Sequence, residues 1–325
     1  MKIIIYISLM FFFTGCTAKY VNDANAEKSR TWNVTKVPEI NNSKQRIIYK
    51  EKIVKVGREF NSKEELQKEY KKDIKSQYSF AKTSKQNYDS FALVIGINKY
   101  KQNTPVEYAD LSALAFEELA TKTLGLPKEN VITLLNDDAT SGQLKAKIEL
   151  VKELADKNGN LYVYFAGHGV PGKDGNTYML PSDMSADSIH LEQNLRLDNI
   201  YATLGKSNAK NVFVFMDSCF SGKDDKGSLL YKGVAPVLKT KKTIINSSKL
   251  TILTAGKSTD FANDYETKKQ RLFSYYLIKE LSQGKTNLNE VYSTIKNKVK
   301  RTSLMKGIGY KQVPQVYGNS GVSLF

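Results

Sequence analysis

The chain has 325 residues, of which 41% are apolar and 10% aromatic, and this is enough for one large domain plus an extension. Its two cysteines and two histidines argue against a disulfide-stabilised fold and against a zinc site. The formal net charge of +16 is compatible with nucleic-acid binding, but no nucleic-acid-binding motif occurs, so a solvated, Lys-rich surface is the favoured interpretation.

Residues 1–16 have the layout of an export signal. Lys2 is followed by an apolar run at 3–13, which is shorter than the roughly 20 residues needed to span a bilayer, and small residues precede Cys16. The segment resembles a bacterial lipoprotein signal at 1–15. That resemblance implies lipidation of Cys16 and a position in the cell envelope facing the periplasm or exterior, at the outer membrane in a Gram-negative cell. An ordinary secretory signal and an uncleaved anchor are the alternatives, and export in any form removes nucleic acid as a partner.

Residues 16–88 are predicted to be a lipidated tether. The stretch 17–45 is rich in Asn, Lys and Ser and has little periodicity, which is typical of a flexible segment. A capping-box pattern at 62–65 is followed by three apolar side chains at four-residue intervals, Leu66, Tyr70 and Ile74. This spacing predicts a helix near 63–80.

From residue 89 to 325, short apolar runs alternate with amphipathic segments. The runs are rich in β-formers and lack polar alternation, which indicates strands buried on both faces; they lie at 91–97, 131–135, 161–165, 212–216 and 250–254. Asp110 and Ser141 are predicted to cap two helices, and further helices are predicted near 196–205, 270–283 and 287–300. This order predicts a three-layer α/β/α sandwich with a mostly parallel sheet.

Two reactive side chains directly follow two of these predicted strands. His168, which is flanked by Gly167 and Gly169, comes after the strand at 161–165, and Cys219 comes after the strand at 212–216. Functional residues gather at the carboxyl ends of parallel strands, so the thiol and the imidazole share one crevice if these strands are neighbours. A thiol paired with a histidine favours nucleophilic catalysis.

The chain carries four motifs in register: residues 91–97, Tyr108–Leu111, Tyr164–Gly169 and Asp217–Gly222. Their order and spacing resemble those of the caspase-like peptidases, most closely the metacaspase and bacterial caspase-like branch, and the resemblance covers about 90–325. It implies a cysteine endopeptidase with a Cys219/His168 dyad, acting on protein or peptide substrates. It also implies an oxyanion hole formed by the backbone N–H groups of Gly169 and Cys219.

The same resemblance assigns Asp110 and Asp217 to the pocket for the residue before the scissile bond. Two carboxylates there would attract Arg or Lys and repel Asp, which predicts cleavage after basic residues. For Asp110 alone, a helix cap is the alternative. Some metacaspases require Ca²⁺, and the adjacent Asp224 and Asp225 raise calcium as a possible activator, although two adjacent acids do not make a site.

The Lys-rich segment 222–249 resembles the interval at which caspase relatives are cut into two subunits, which makes it a candidate self-cleavage site, with a solvated loop as the alternative.

Phe220 stands where many metacaspases have His, and Ala166 replaces a frequent Ser. Neither departure removes the predicted nucleophile or base. They do leave a catalytically silent binding module as a second hypothesis, and an envelope-binding basic lipoprotein as a third.

Overall fold

The computed structural model describes residues 62–83, 86–222, 228–231, 243, 245, 247–257 and 260–325. The predicted signal with Cys16, most of the predicted tether, and most of segment 222–249 with Asp224 and Asp225 lie outside the described residues. Across the described ranges, no helix is both long enough and apolar enough to cross a membrane.

The strands include the five predicted from apolar runs and five more that are short. In chain order they are β1 (Phe91–Gly96), β2 (Val131–Leu135), β3 (Asn160–Ala166), β4 (Gly169–Pro171), β5 (Thr177–Met179), β6 (Asn211–Asp217), β7 (Leu250–Thr254), β8 (Asp264–Tyr265), β9 (Gln270–Arg271) and β10 (Gln315–Gly318). The central sheet has the order β10-β7-β6-β3-β1-β2. All its neighbouring strands are parallel except β10, which runs antiparallel to β7.

The helices lie close to their predicted positions. They are α1 (Lys63–Glu69), α2 (Ala109–Lys122), α3 (Ser141–Leu154), α4 (Leu197–Gly205), α5 (Leu272–Leu281) and α6 (Leu288–Met305). The two predicted helix caps were wrong, Asp110 by two residues and Ser141 by one. The left-handed Tyr108 precedes α2, so Asp110 lies inside the first turn, and Thr140 caps α3 because its side chain accepts from the backbone N–H of Gln143.

Successive strand residues face two separate cores. In β1, Ala92 and Val94 point into the core that α1, α2, α5 and α6 cover, whereas Leu93 and Ile95 point into the core that α3 and α4 cover. Because both faces of each central strand are buried, a strand needs apolar side chains at every position. The predicted three-layer α/β/α sandwich with a mostly parallel sheet is confirmed.

The helical segment near the start of the described chain packs against the domain. After α1 the helix continues as a π-helical turn (Tyr70–Ile74) and a 3₁₀ turn (Lys75–Gln77). Its apolar face is buried in the same core as α2 and α5, through Leu66, Tyr70 and Ile74. Lys269 forms ion pairs with Glu69 at 3.2 Å and Asp73 at 2.6 Å. This part of the predicted tether therefore belongs structurally to the sandwich.

An ion-pair triad joins α5 to α6. The side chain of Glu280 is 1% exposed; it pairs with Lys285 and lies 2.5 Å from the ammonium of Lys298. Burial alone would raise the pKa of Glu280, but hydrogen bonds from both lysines outweigh burial and hold that pKa below its usual value. A carboxylate with a depressed pKa stabilises the fold above its unfolded-state pKa, and loses that contribution as pH falls through the folded-state value.

Glu280→Gln is therefore expected to lower the free energy of unfolding by about 1–2 kcal/mol at neutral pH, a modest figure because both lysines are partly exposed and can be re-solvated. The difference in free energy of unfolding between Glu280→Gln and wild type should shrink in acid, where Glu280 itself becomes protonated. Denaturant titrations of both proteins at neutral pH and near pH 3 measure this difference at each pH. Glu153→Gln, at an exposed carboxylate of α3, is the control and should stay within about 0.5 kcal/mol of wild type. A difference that does not change with pH would contradict this account.

Candidate active site

The register of two neighbouring strands brings His168 and Cys219 to the same edge of the sheet. Strands β3 and β6 are parallel partners, and their last pair is Ala166 opposite Asp217. The N–H of Gly167 donates to the carbonyl of Asp217 at 3.3 Å, which continues the ladder by one bond. His168 and Cys219 each stand two residues beyond the last pair. Since adjacent strands lie about 4.8 Å apart, the two residues lie at neighbouring strand ends on one edge of the sheet.

The imidazole of His168 is held from one side. It is 5% exposed, and its Nε2 lies 2.8 Å from the carbonyl oxygen of Thr104. A carbonyl can only accept, so Nε2 is the donor in this contact, and when the ring is neutral its basic nitrogen is Nδ1. The backbone N–H of His168 donates to the hydroxyl of Tyr100 at 2.7 Å, and the two rings lie 4.9 Å apart. The tautomer with a basic Nδ1 is therefore the one that the structure selects.

The glycines on both sides of His168 are required by close packing. A Cβ at Gly167 would lie 2.6 Å from the hydroxyl oxygen of Tyr100. A Cβ at Gly169 would overlap the ring of Phe220 and lie 2.6 Å from Oγ of Ser218. The space that a side chain would need at Gly169 is thus filled by the residues on either side of Cys219. The Gly-His-Gly motif allows the two strand ends to approach each other.

Cys219 is not in a disulfide, and it is partly buried. Its Sγ donates to the carbonyl of Asp260 at 3.1 Å and lies 2.7 Å from the hydroxyl oxygen of Ser221. The backbone N–H of Ser221 also approaches the sulfur at 3.4 Å. The thiol therefore contacts the loop that follows β7, as well as its own turn.

Asp217, predicted to line a specificity pocket, is fully buried at the end of β6. Its Oδ2 accepts hydrogen bonds from the backbone N–H of Ser274 at 2.9 Å and from the Ser274 hydroxyl at 2.6 Å. The carboxylate therefore satisfies a backbone N–H in the first turn of α5, at the positive end of the helix dipole. Tyr164 lies 2.5 Å from the Ser274 hydroxyl. Burial raises the pKa of Tyr164 well above its usual value and the Asp217 carboxylate raises it further, so the phenol is neutral and donates to Ser274.

A guanidinium of the chain itself lies beside this carboxylate. Arg271, the residue immediately before α5, is 1% exposed, and its Nε is 3.9 Å from Oδ1 of Asp217. Its Nη2 donates to the carbonyl of Ala262, and its Nη1 lies 3.5 Å from the carbonyl of Glu107. The positive group thus lies between the end of β6, the loop after β7 and the residues before α2.

Asp110 is also fully buried. Its Oδ2 accepts from the side-chain amides of Asn98 at 3.3 Å and Asn136 at 3.1 Å, and its Oδ1 accepts from the backbone N–H of Leu111 at 2.8 Å. Both acids that are predicted to line the specificity pocket are therefore buried and hydrogen-bonded to groups of the chain itself. Burying an ionised carboxylate is costly unless it is paired, and the fold supplies the partners from its own side chains.

Several residues of the site carried no recognisable sequence signal. Thr104 and Asp260 act through backbone carbonyls, which any residue type presents. Arg271 follows the polar run 266–270, which is typical of a solvated turn. Among the described residues, no group of three or more His, Cys, Asp or Glu side chains is placed to hold a metal ion.

Comparison with known proteins gives one family match and several structural likenesses. The family model described as "Caspase domain" matches residues 89–324. A protein of Geobacter sulfurreducens has a similar structure, with a TM-score of 0.50 and 17% identity over 70% of this chain and 92% of its own. Caspase-1 from Spodoptera frugiperda aligns with a TM-score of 0.46 and 17% identity over 76% of this chain and 91% of its own. No curated protein matches. At these identities the structural likeness concerns the fold alone.

Proposed function

The chain belongs to the caspase-domain family of cysteine peptidases, and we therefore propose that it is an endopeptidase with Cys219 as nucleophile and His168 as general base. One observation carries the proposal. His168 and Cys219 each stand two residues beyond Ala166 and Asp217, the last pair of the adjacent parallel strands β3 and β6. The anchoring of Nε2 by Thr104 supports it, because the basic nitrogen is then Nδ1. The proposed enzyme is of the metacaspase and bacterial caspase-like type.

In this proposal Nδ1 of His168 takes the proton of the Cys219 thiol as the sulfur attacks the carbonyl carbon of the scissile bond. The same proton then passes to the leaving amine as the C–N bond breaks and a thioester remains. Water hydrolyses the thioester with His168 again acting as base, which regenerates the thiol and releases the acid product. The proton that the thiol shares with Asp260 in the resting structure must transfer to His168 at the start of the reaction.

The oxyanion of each tetrahedral intermediate needs donors, and we assign this role to the backbone N–H groups of Gly169 and Cys219. One such donor typically supplies about 2.7–4 kcal/mol of transition-state stabilisation. The packing of Phe220 against Gly169 supports the assignment, because it fixes the peptide after His168 relative to the turn that holds Cys219.

We further propose cleavage after Arg or Lys, at a site close to Asp110 and Asp217, in an enzyme anchored to the bacterial envelope through lipidated Cys16. The two acids support the specificity, since each lies at the edge of the sheet from which His168 and Cys219 emerge, Asp217 at the end of β6 and Asp110 after β1. Their present hydrogen bonds mean that a basic side chain must compete with partners inside the chain.

The purified full chain is expected to hydrolyse fluorogenic peptides that end in Arg or Lys, and to leave Asp-ended peptides intact. Like charge excludes Asp from a site near two carboxylates, whereas a cation is attracted. Initial rates on the three peptides, measured with and without Ca²⁺ and beside Cys219→Ala, test both activity and specificity. Turnover of Asp-ended peptides alone would refute the specificity, and equal rates in Cys219→Ala would refute the mechanism.

A further inference from the structure

Arg271 occupies a position that the proposed specificity would give to the substrate. Its guanidinium lies 3.9 Å from Asp217, contacts the carbonyl of Glu107 three residues before Asp110, and donates to Ala262. Ala262 is two residues from Asp260, whose carbonyl contacts the Cys219 thiol. A cation of the same chemistry as a substrate arginine is thus already held beside Asp217, and it contacts the segment before Asp110 and the loop whose Asp260 carbonyl contacts the thiol.

We propose that Arg271 is a specificity-determining residue: its guanidinium acts as an internal competitor for the basic side chain of the substrate at Asp217. This inference rests on the proposed function, and it identifies what limits binding at that same site. Arg271 compensates the charge of the buried Asp217 carboxylate when no substrate is bound. It also weakens the attraction between Asp217 and the basic side chain of a substrate.

The position of Arg271 in the fold suits such a competitor. It is the residue immediately before α5, and its backbone N–H donates to the hydroxyl of Ser112 at 2.9 Å, so the main chain is fixed on α2. The contacts of its guanidinium, by contrast, include carbonyls of the loops at 107 and 262. Asp217 keeps two bonds from Ser274 that do not involve Arg271. A substrate guanidinium in the place of the Arg271 head group would leave those bonds intact.

The test is Arg271→Ala in the full chain, which removes the internal cation and leaves a space of its shape. Methylguanidinium is the probe, because it reproduces the end of the arginine side chain, and neutral methylurea is its control. We expect millimolar methylguanidinium to raise the melting temperature of Arg271→Ala in a dose-dependent way and to leave that of wild type unchanged. Arg271→Met fills the same space without charge, so methylguanidinium should bind it more weakly than it binds Arg271→Ala.

Kinetics supply the second readout. The KM of Arg271→Ala for an Arg-ended peptide is expected to fall by about tenfold with kcat unchanged, because the change affects binding of ground state and transition state alike. An unchanged KM would overturn the inference and leave Arg271 as a structural counter-ion, even where methylguanidinium stabilises the variant, because the probe can refill the space of any buried guanidinium. If neither wild type nor variant cleaves any peptide, the proposed function fails, and the inference is then decided by whether an Arg-ended peptide raises the melting temperature of Arg271→Ala more than that of wild type.

If Arg271→Ala does not fold without methylguanidinium, Arg271→Lys decides. Lysine keeps the charge but offers a single ammonium in place of a planar fork, so it should compete less well for Asp217. A lower KM for the Arg-ended peptide than in wild type is expected, and an equal or higher KM would overturn the proposal.

Discussion

Cys219→Ala, His168→Ala and the double variant are expected to lose peptide hydrolysis to one common residual level, at least about 10³-fold below wild type in kcat/KM. The thiol and the imidazole act on one proton, so removing either abolishes the same step. Losses from residues that act as a unit do not add. The structure supports this expectation, because Cys219 and His168 each stand two residues beyond the last pair of the neighbouring strands β6 and β3.

The experiment has a matched control in the other histidine of the chain. His190 lies in a 3₁₀ turn at Ile189–Leu191, and His190→Ala is expected to keep hydrolysis within a few-fold of wild type. Denaturant titration of each variant separates loss of chemistry from loss of fold. A double variant that is much slower than either single variant would show that Cys219 and His168 act independently, and would contradict the dyad.

The placement of this pair was predictable because it depends on features that the sequence encodes locally. Strands buried on both faces leave uninterrupted apolar runs, and each run ends where polar residues begin. His168 and Cys219 could therefore be placed at strand ends. Only the pairing of β3 with β6 had to be supplied by the structure, which places Ala166 opposite Asp217.

The surroundings of Asp217 were not predictable in the same way, because its partners are distant in sequence. Ser274 is 57 residues away, in a segment for which the sequence predicts only a helix. Arg271 follows a run of polar residues, and such runs usually indicate a solvated turn. Sequence patterns report whether a segment is buried on average, but not which carboxylate an isolated buried arginine will meet.

Phe220 illustrates how a departure from a motif gains meaning only in three dimensions. In the sequence it marks the absence of a frequent histidine, and it raised the hypothesis of a silent module. In the structure its ring is 6% exposed and occupies the space above Gly169. A residue that fixes the peptide beside the proposed base is compatible with an active site, so the substitution does not by itself argue for loss of catalysis.

Gly169→Ala is expected to reduce kcat/KM by about 10²-fold or more, the cost typical of an ångström-scale displacement near the reacting groups. The added Cβ would overlap the ring of Phe220 and lie 2.6 Å from Oγ of Ser218. One of the two strand ends must then move, and with it either the proposed oxyanion donor or the turn that holds Cys219. Overpacking of this kind also costs about 1–3 kcal/mol of stability, which a denaturant titration measures.

Gly142 provides the matched control for this steric argument. It lies in the first turn of α3, where an added Cβ would meet nothing within 4 Å, so Gly142→Ala should leave hydrolysis unchanged and stabilise the fold by about 0.5 kcal/mol. Combining Gly169→Ala with Phe220→Ala removes the main obstacle but also truncates a buried ring, so the double variant should lose less stability than the sum of the two single variants. If the double variant hydrolyses peptides faster than Gly169→Ala, the Phe220 ring acts only as a steric neighbour. If it does not, the ring is also needed to hold Gly169 where the oxyanion forms. Full activity in Gly169→Ala alone would show that this peptide tolerates displacement, and would remove Gly169 from the proposed oxyanion hole.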